Sequence, residues 1–365
     1  MRLPSRRTVT ISLVREIVIV ISDLYLADGD AGRSSIAAAP PLSGLEDVVR
    51  FGQRSALQGA GDRSWRSWLA SLAGRDDLAA AAPAAVAAAA ATSVGELAAG
   101  TAWMVTPVHL IAGLTSLHFD PRSLLTLAAQ DLEELARDFT ATFGDSGFNL
   151  VPTAAGALLL VNPDPIQVAT TEPSRALARG VEASLPSGSG APLIRRLGAE
   201  IEMWLHNHHI NDARARRGEL PVSTLWLWGG GPLLTAASQE PVTSMVAFGT
   251  DPYLVGLSRL LSIPLQPLPE QLPNLAEHPE SQRLILVTEL TTWLQAHRNA
   301  SLFEALADID RRFIAPAMTA LRRRAIADLR VVANDTVLRV RRRDLFKLWR
   351  PRCGSGAAAL RGLSA

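Results

Sequence analysis

The stretch Leu205-His206-Asn207-His208-His209-Ile210-Asn211-Asp212-Ala213-Arg214, running on through Gly218 and Pro221 to Leu225-Trp226-Leu227-Trp228-Gly229-Gly230-Gly231, decides the fold class. It reads as the end of a helix, a polar turn, a buried strand and a glycine loop. From Leu193 the apolar residues Leu197, Ile201, Trp204 and Leu205 recur at helical spacing, with Arg195, Arg196, Glu200 and Glu202 on other faces. Val222 to Trp228 is a short apolar run closed by three glycines, the pattern of a buried strand entering a tight turn. In open α/β sheets such loops carry ligand sites, because they lie at the carboxyl ends of the strands. The alternative is that the glycines only turn the chain beneath a neighbouring helix.

Outward from this stretch, strands alternate with helices. Ile17-Val18-Ile19-Val20-Ile21-Ser22 is the unbroken apolar run of a strand covered on both faces. Asp23 follows at its tip, where a carboxylate suits a hard divalent cation, or serves as a helix cap or turn former. The acidic Asp28-Gly29-Asp30 lies a few residues on. Ser64 reads as the N-cap of a helix ending near Gly74. Leu78 to Ala91 is almost all alanine, which favours helix and close backbone approach, or marks a low-complexity surface segment. Trp103 to Leu110 predicts a strand, and Ser123 to Phe143 an amphipathic helix with Leu132, Leu135 and Phe139 inward. His109 and His118, isolated among apolar residues, read as core histidines. A domain edge is expected at Pro186-Ser187-Gly188-Ser189-Gly190. Met245–Phe248, Leu284–Val287 and Leu329–Ala333 are further strands, and Ser301 to Arg324 a long helix with Leu306, Ile309, Phe313 and Met318 in the core. Together these imply a largely parallel sheet with helices on both faces.

A chain of 365 residues can bury a large core as one α/β domain with an insertion, or as two domains. With 36 basic against 35 acidic residues the net charge is +1, which gives no electrostatic case for nucleic acid or membrane as partners. Arg322 to Arg352 is strongly basic, and Val340 to Arg350 reads as a solvated helix over the sheet edge. Cys353, the single cysteine, excludes a disulfide framework and fits a reducing cytoplasm. Met1 to Arg7 and the apolar residues after it imitate a secretory signal, but Arg15 and Glu16 interrupt the run and no cleavage site follows Ile21. No run reaches the roughly 18 apolar residues of a membrane span.

Within the central stretch, His206, His208 and His209 lack the i, i+4 spacing of helical metal pairs and read as cap and turn residues. Asn211 and Arg214 brace the turn, and Arg214 or Arg217 suits an anion through its planar guanidinium.

The pattern His208-x-x-Asn211-x-x-Arg214-x-x-x-Gly218-x-x-Pro221, followed by an apolar strand into Gly-x-Gly, resembles the archaeal-type, bisphosphoglycerate-independent phosphoglycerate mutases of the alkaline phosphatase superfamily. Met203-Trp204-Leu205-His206 and Leu225-Trp226-Leu227-Trp228-Gly229-Gly230-Gly231 resemble a bacterial family of RpfE-type regulatory proteins. The mutase resemblance implies an alkaline-phosphatase-like α/β fold over residues 17–350 with an inserted subdomain near 100–187, after an N-terminal extension of residues 1–16 and before a flexible tail of residues 351–365. It implies metal ligands at Asp23 and Asp335, a nucleophile at Ser64, and an anion site from His208, Asn211, Arg214, Gly229, Gly230 and Gly231. Glu172 stands where the mutases carry an Asp before Pro, and Glu289 with His297 where a metal motif is expected.

The departures are specific. Ser223 replaces an Asn, Trp228 an Arg, Trp65 an Asp and Thr336 a His. A two-metal site needs roughly six or seven protein ligands, and Asp23 and Asp335 are the two that can be traced. The reading is therefore a divergent mutase-like protein, catalytically degenerate, with a regulatory or binding role and without a required cofactor. Its partners would be a phosphorylated small molecule or another protein. The alternative is a working phosphotransferase or mutase using Mn or Mg, in which Asp23, Asp335, Glu289 and His297 gather beside Ser64.

Overall fold

The computed structural model describes residues 14–24, 41–57, 64–91, 99–113, 117–118, 121–234, 241–278, 281–297, 300–347 and 349–350. Residues 1–13, Asp28-Gly29-Asp30 and the tail from Pro351 with Cys353 lie outside the described residues.

In chain order the strands are β1 (Glu16–Ser22), β2 (Gln53–Ala56), β3 (Thr101–Val108), β4 (Ile111–Ala112), β5 (Leu117–His118), β6 (Asn149–Pro152) and β7 (Leu158–Asn162). They continue as β8 (Thr224–Pro232), β9 (Met245–Phe248), β10 (Leu265–Gln266), β11 (Arg283–Glu289), β12 (Asp328–Ala333) and β13 (Thr336–Arg341). The helices begin with α1 (Ser43–Phe51), α2 (Trp65–Leu72), α3 (Asp76–Ala80), α4 (Pro83–Ala88), α5 (Ala129–Phe143) and α6 (Pro173–Arg179). They end with α7 (Ala191–His206), α8 (His209–Arg216), α9 (Pro252–Leu261), α10 (Leu290–Ala296), α11 (Leu302–Ile309) and α12 (Ala315–Arg322).

A seven-stranded sheet in the order β10-β9-β11-β1-β12-β13-β2 forms the centre. Its first five strands run parallel, and β13 turns back antiparallel against β12. Strand β1 lies between β11 and β12, and its unbroken apolar text follows from that position. Ile17, Ile19 and Ile21 pack with Leu45, Leu306, Ile309 and Met318 on one face, while Val18 and Val20 pack with Leu69, Val86, Tyr253 and Leu257 on the other. Successive side chains of a strand point to opposite faces, so a strand covered twice must be apolar at every position. The predicted largely parallel α/β architecture is thus found.

A second, antiparallel sheet has the order β6-β7-β3-β8, with α5 and α7 supplying Leu135, Phe139, Leu197 and Ile201 to its core. It takes its strands from residues 101–232. The alanine-rich segment is helical and buried: Ala84 to Ala88 are all buried in α4. A Cβ on Gly256 of α9 would lie 2.0 Å from the Val86 carbonyl oxygen, so small residues let these two helices touch through their backbones.

Helices α11 and α12 are joined by a π turn, Asp310–Ile314. The Asp310 carboxylate accepts the N–H groups of Gly44 at 3.0 Å and Leu45 at 2.6 Å, capping the start of α1 from a distant part of the chain. Among the described residues no helix is long and apolar enough to cross a membrane.

Three expectations are corrected. Gly229, Gly230 and Gly231 do not form a loop but lie inside β8, in the antiparallel sheet. A Cβ on Gly230 would meet Trp103 Cδ1 at 2.0 Å and one on Gly231 would meet Ala82 Cβ at 2.6 Å. The glycines therefore admit an indole and the start of α4 against the strand. The helix expected from Ser123 begins at Ala129. The basic segment around Val340 is not a helix over the sheet edge but β13 followed by a short 3₁₀ turn, Arg342–Phe346.

Candidate functional site

Parallel strands end together, and their carboxyl tips collect side chains from distant parts of the sequence. Ser22 at the end of β1 pairs with Glu289 at the end of β11. The chain then turns at Asp23, whose φ of 64° is the left-handed conformation that Asp tolerates better than most residues. Asp23 accepts a hydrogen bond from Thr291 Oγ1 at 2.8 Å. Glu289 accepts from Thr250 Oγ1 and Thr292 Oγ1, each at 3.1 Å. After β9, Asp251 caps α9 by accepting the N–H groups of Tyr253 at 2.8 Å and Leu254 at 3.3 Å.

Arg66 of α2 reaches into this group. It is buried, and its Nη1 donates to Glu172 at 2.6 Å while Nη2 donates to Asp251 at 2.9 Å. Its guanidinium lies over the Trp65 ring, 4.5 Å from the centroid, and over the Trp228 ring at 4.7 Å. Burial opposes the charge, but Asp251 and Glu172 more than offset it, and the Arg66 pKa is raised.

The carboxylates respond in the opposite sense to a paired acid. Burial, then the neighbouring Glu172, pushes Asp23 up to about 6. Burial, then Asp251 and Asp23, pushes Glu289 up to about 7. The tips thus hold more acid than Arg66 neutralises.

Ser64 stands beside this cluster. It is buried, its Oγ accepts the Ser67 N–H at 3.5 Å, and it lines one narrow crevice with Asp23, Glu172, Arg175 and Asn334. The N-cap role read from the sequence is the one seen. Asp335, in the turn between β12 and β13, is half-exposed and accepts Arg175 Nη2 at 2.7 Å. Asp23, Glu289 and Ser64 are thus brought to the same end of the sheet. His297 is not: it stacks on Trp293 with ring centroids 4.1 Å apart, and its Nδ1 lies 2.9 Å from the Trp293 carbonyl.

The other sequence-selected residues gather elsewhere. Asn211 donates to the Leu205 and Val222 carbonyls at 2.9 and 3.0 Å and accepts the Val222 N–H at 2.8 Å. Buried Arg214 donates to the Leu220 carbonyl at 2.7 Å and pairs with Glu219 at 3.1 Å. These contacts brace the turn between α8 and β8. His208 caps α8 through Nδ1, which accepts the Ile210 N–H.

Carboxylate oxygens suit Mg or Mn, so the tips offer a suitable donor type. Their arrangement does not fit such an ion. Arg66 already takes an oxygen from Glu172 and another from Asp251, which leaves too few carboxylates converging at the tips to surround an ion. Among the described residues, three ligand atoms of His, Cys, Asp or Glu converge within 4.8 Å only at Asp138, His208 and His209, away from the tips.

Arg66 and Asp251 are functional residues that the sequence reading passed over. Arg66 sits on an amphipathic helix, where an arginine is ordinarily on the solvated face.

No protein-family model matches the chain, and no curated protein matches it. Among solved structures, the cofactor-independent phosphoglycerate mutase from Thermoplasma acidophilum DSM 1728 is similar at 16% identity, over 90% of this chain and 89% of that chain, with a TM-score of 0.37. The PH0037 protein from Pyrococcus horikoshii is similar at 13% identity, over 96% of this chain and 92% of that chain, with a TM-score of 0.47. Neither likeness ties the chain to the RpfE-type regulatory proteins.

Proposed function

We propose that this chain is a divergent, non-catalytic relative of the phosphoglycerate mutases that works by binding, with a regulatory role. One observation carries the reading. Trp65 and Trp228, which depart from the mutase pattern at separate places in the sequence, flank the same buried guanidinium. Arg66 with Glu172 and Asp251 then forms an ion-pair network where a cation would otherwise be held. A serine gains nucleophilicity from an adjacent base or a metal, and Ser64 instead spends its oxygen on a helix cap. The ligand of such a protein would be a phosphorylated small molecule or a protein.

The test is a phosphoglycerate mutase and phosphatase assay of the purified chain with Mn²⁺ or Mg²⁺, beside Mn²⁺ calorimetry of the chain and of Arg66→Gln. No turnover and no Mn²⁺ heat at the tips support the reading. Metal-dependent turnover abolished by Ser64→Ala sinks it. The second reading, an active phosphotransferase, rests on Ser64 and Asp23 lining one crevice, and that turnover result would establish it.

A further inference from the structure

Helices α5 and α8 meet at a cluster that the strand-tip reading does not use. Glu134 and Asp138 lie one turn apart on α5 and face His208 and His209 at the junction of α7 and α8. Both imidazoles direct Nε2 toward these carboxylates. His208 Nε2 lies 3.4 Å from Asp138 Oδ2, and His209 Nε2 lies 3.7 Å from the same oxygen and 2.6 Å from Glu134 Oε1. The His208 side chain is only 5% exposed, yet its Nε2 has no hydrogen-bond partner.

Those separations are informative. Tetrahedral ligands held about 2.0–2.1 Å from a zinc ion stand about 3.3–3.4 Å apart. The distance from Asp138 Oδ2 to His208 Nε2 equals that value, the one to His209 Nε2 is a few tenths of an ångström longer, and both are too long for good hydrogen bonds. The other Asp138 oxygen, Oδ1, takes Arg137 Nε at 3.3 Å, so Oδ2 is left facing the histidines. The rings are already ordered: His208 packs on Trp204 with centroids 4.5 Å apart and stacks on His209 at 4.4 Å.

We infer that Asp138, His208 and His209 form a binding site for a borderline divalent ion of the zinc class, the 2.6 Å hydrogen bond between His209 and Glu134 opening on loading and the fourth position being left to water. Two imidazoles with a carboxylate select Zn, Co or Ni over Mg and Ca, which prefer all-oxygen shells. The ion fastens α5 to the α7–α8 junction, a structural role independent of the strand tips. Loading moves the His208 proton to Nδ1 and opens its 3.2 Å cap bond from Ile210, a long bond and weak beside a metal–nitrogen one.

The experiment is an optical titration of the full chain with Co²⁺, followed by displacement with Zn²⁺. The expected result is one Co²⁺ per chain with the intense visible bands of tetrahedral coordination and micromolar or tighter affinity. Affinity should fall about tenfold or more in Asp138→Asn and in His209→Ala. His209 is 57% exposed, so its loss leaves the fold intact. Zinc should raise the Tm of the parent and not that of His209→Ala. Absence of tetrahedral bands, or equal affinity in both variants, overturns the assignment.

Discussion

Gly256 lies against Val86 so closely that the smallest side chain on it would stand 2.0 Å from the Val86 carbonyl oxygen. The contact locks α9 to α4, and both helices pack on the face of the sheet that carries Val18 and Val20. Gly256→Ala must push two backbones apart, since no flexible side chain is there to yield. Overpacking of this kind costs about 1–3 kcal/mol. Urea denaturation of the variant should show a lower midpoint, and an unchanged midpoint would mean the helices are free to separate.

Removing one member of a buried ion pair leaves the other charges uncompensated. Arg66→Ala removes the ion-pair partner of Asp251 and the nearer of the two guanidiniums beside Glu172, and should lower stability by about 3–5 kcal/mol. Arg66→Lys keeps the charge but not the two-pronged geometry or the ring contacts, and should fall between the parent and the alanine variant in the same denaturation experiment.

Stability should decline as pH rises from about 4 toward 7. Asp23 at about 6 and Glu289 at about 7 both lie above the ordinary carboxylate range. Over that interval the folded chain holds protons that the unfolded chain has released, so raising pH favours unfolding. Their contribution is fully present below the unfolded values and is lost as pH passes the folded ones. The urea midpoint should therefore be higher near pH 5 than near pH 7.5, and Asp23→Asn with Glu289→Gln should flatten the difference.

Asn211 makes three hydrogen bonds to the backbone at Leu205 and Val222. Asn211→Ala leaves those groups without their partner and should cost about 1–3 kcal/mol. Calorimetric unfolding measures this directly, and a Tm equal to that of the parent would show that the turn holds without its brace.

The sheet was legible because burial on two faces leaves an unmistakable text. Ile17 to Ile21 and Leu284 to Val287 carry apolar residues at every position and Leu329 to Ala333 at every position but Arg330, and each is a central strand. Asp23 could be read from its place at a strand tip. Arg66 could not, because the residues that define its role, Glu172 and Asp251, are far away in the chain. The glycine run misled for a local reason. Three glycines are written identically whether they turn a chain or admit the Trp103 indole against a strand. The pairing of α5 carboxylates with His208 and His209 was hidden likewise, since the partners come from helices far apart in the chain and nothing in the sequence marks His208 as buried.

The π turn at Asp310–Ile314 sets the phase of everything after it. One residue more than regular winding requires is inserted there, and each residue of an α-helix advances the chain by about 100°. Ala317, Met318 and Leu321 face the sheet because of that offset. The same residues wound as regular α-helix would rotate α12 by about 100° and turn these side chains away from the sheet, whereas deleting the surplus residue would leave α12 in phase. The segment is thus more tolerant of a one-residue deletion that spares Asp310 than of any change that straightens it at full length, and the bulge itself is the structural constraint at this point.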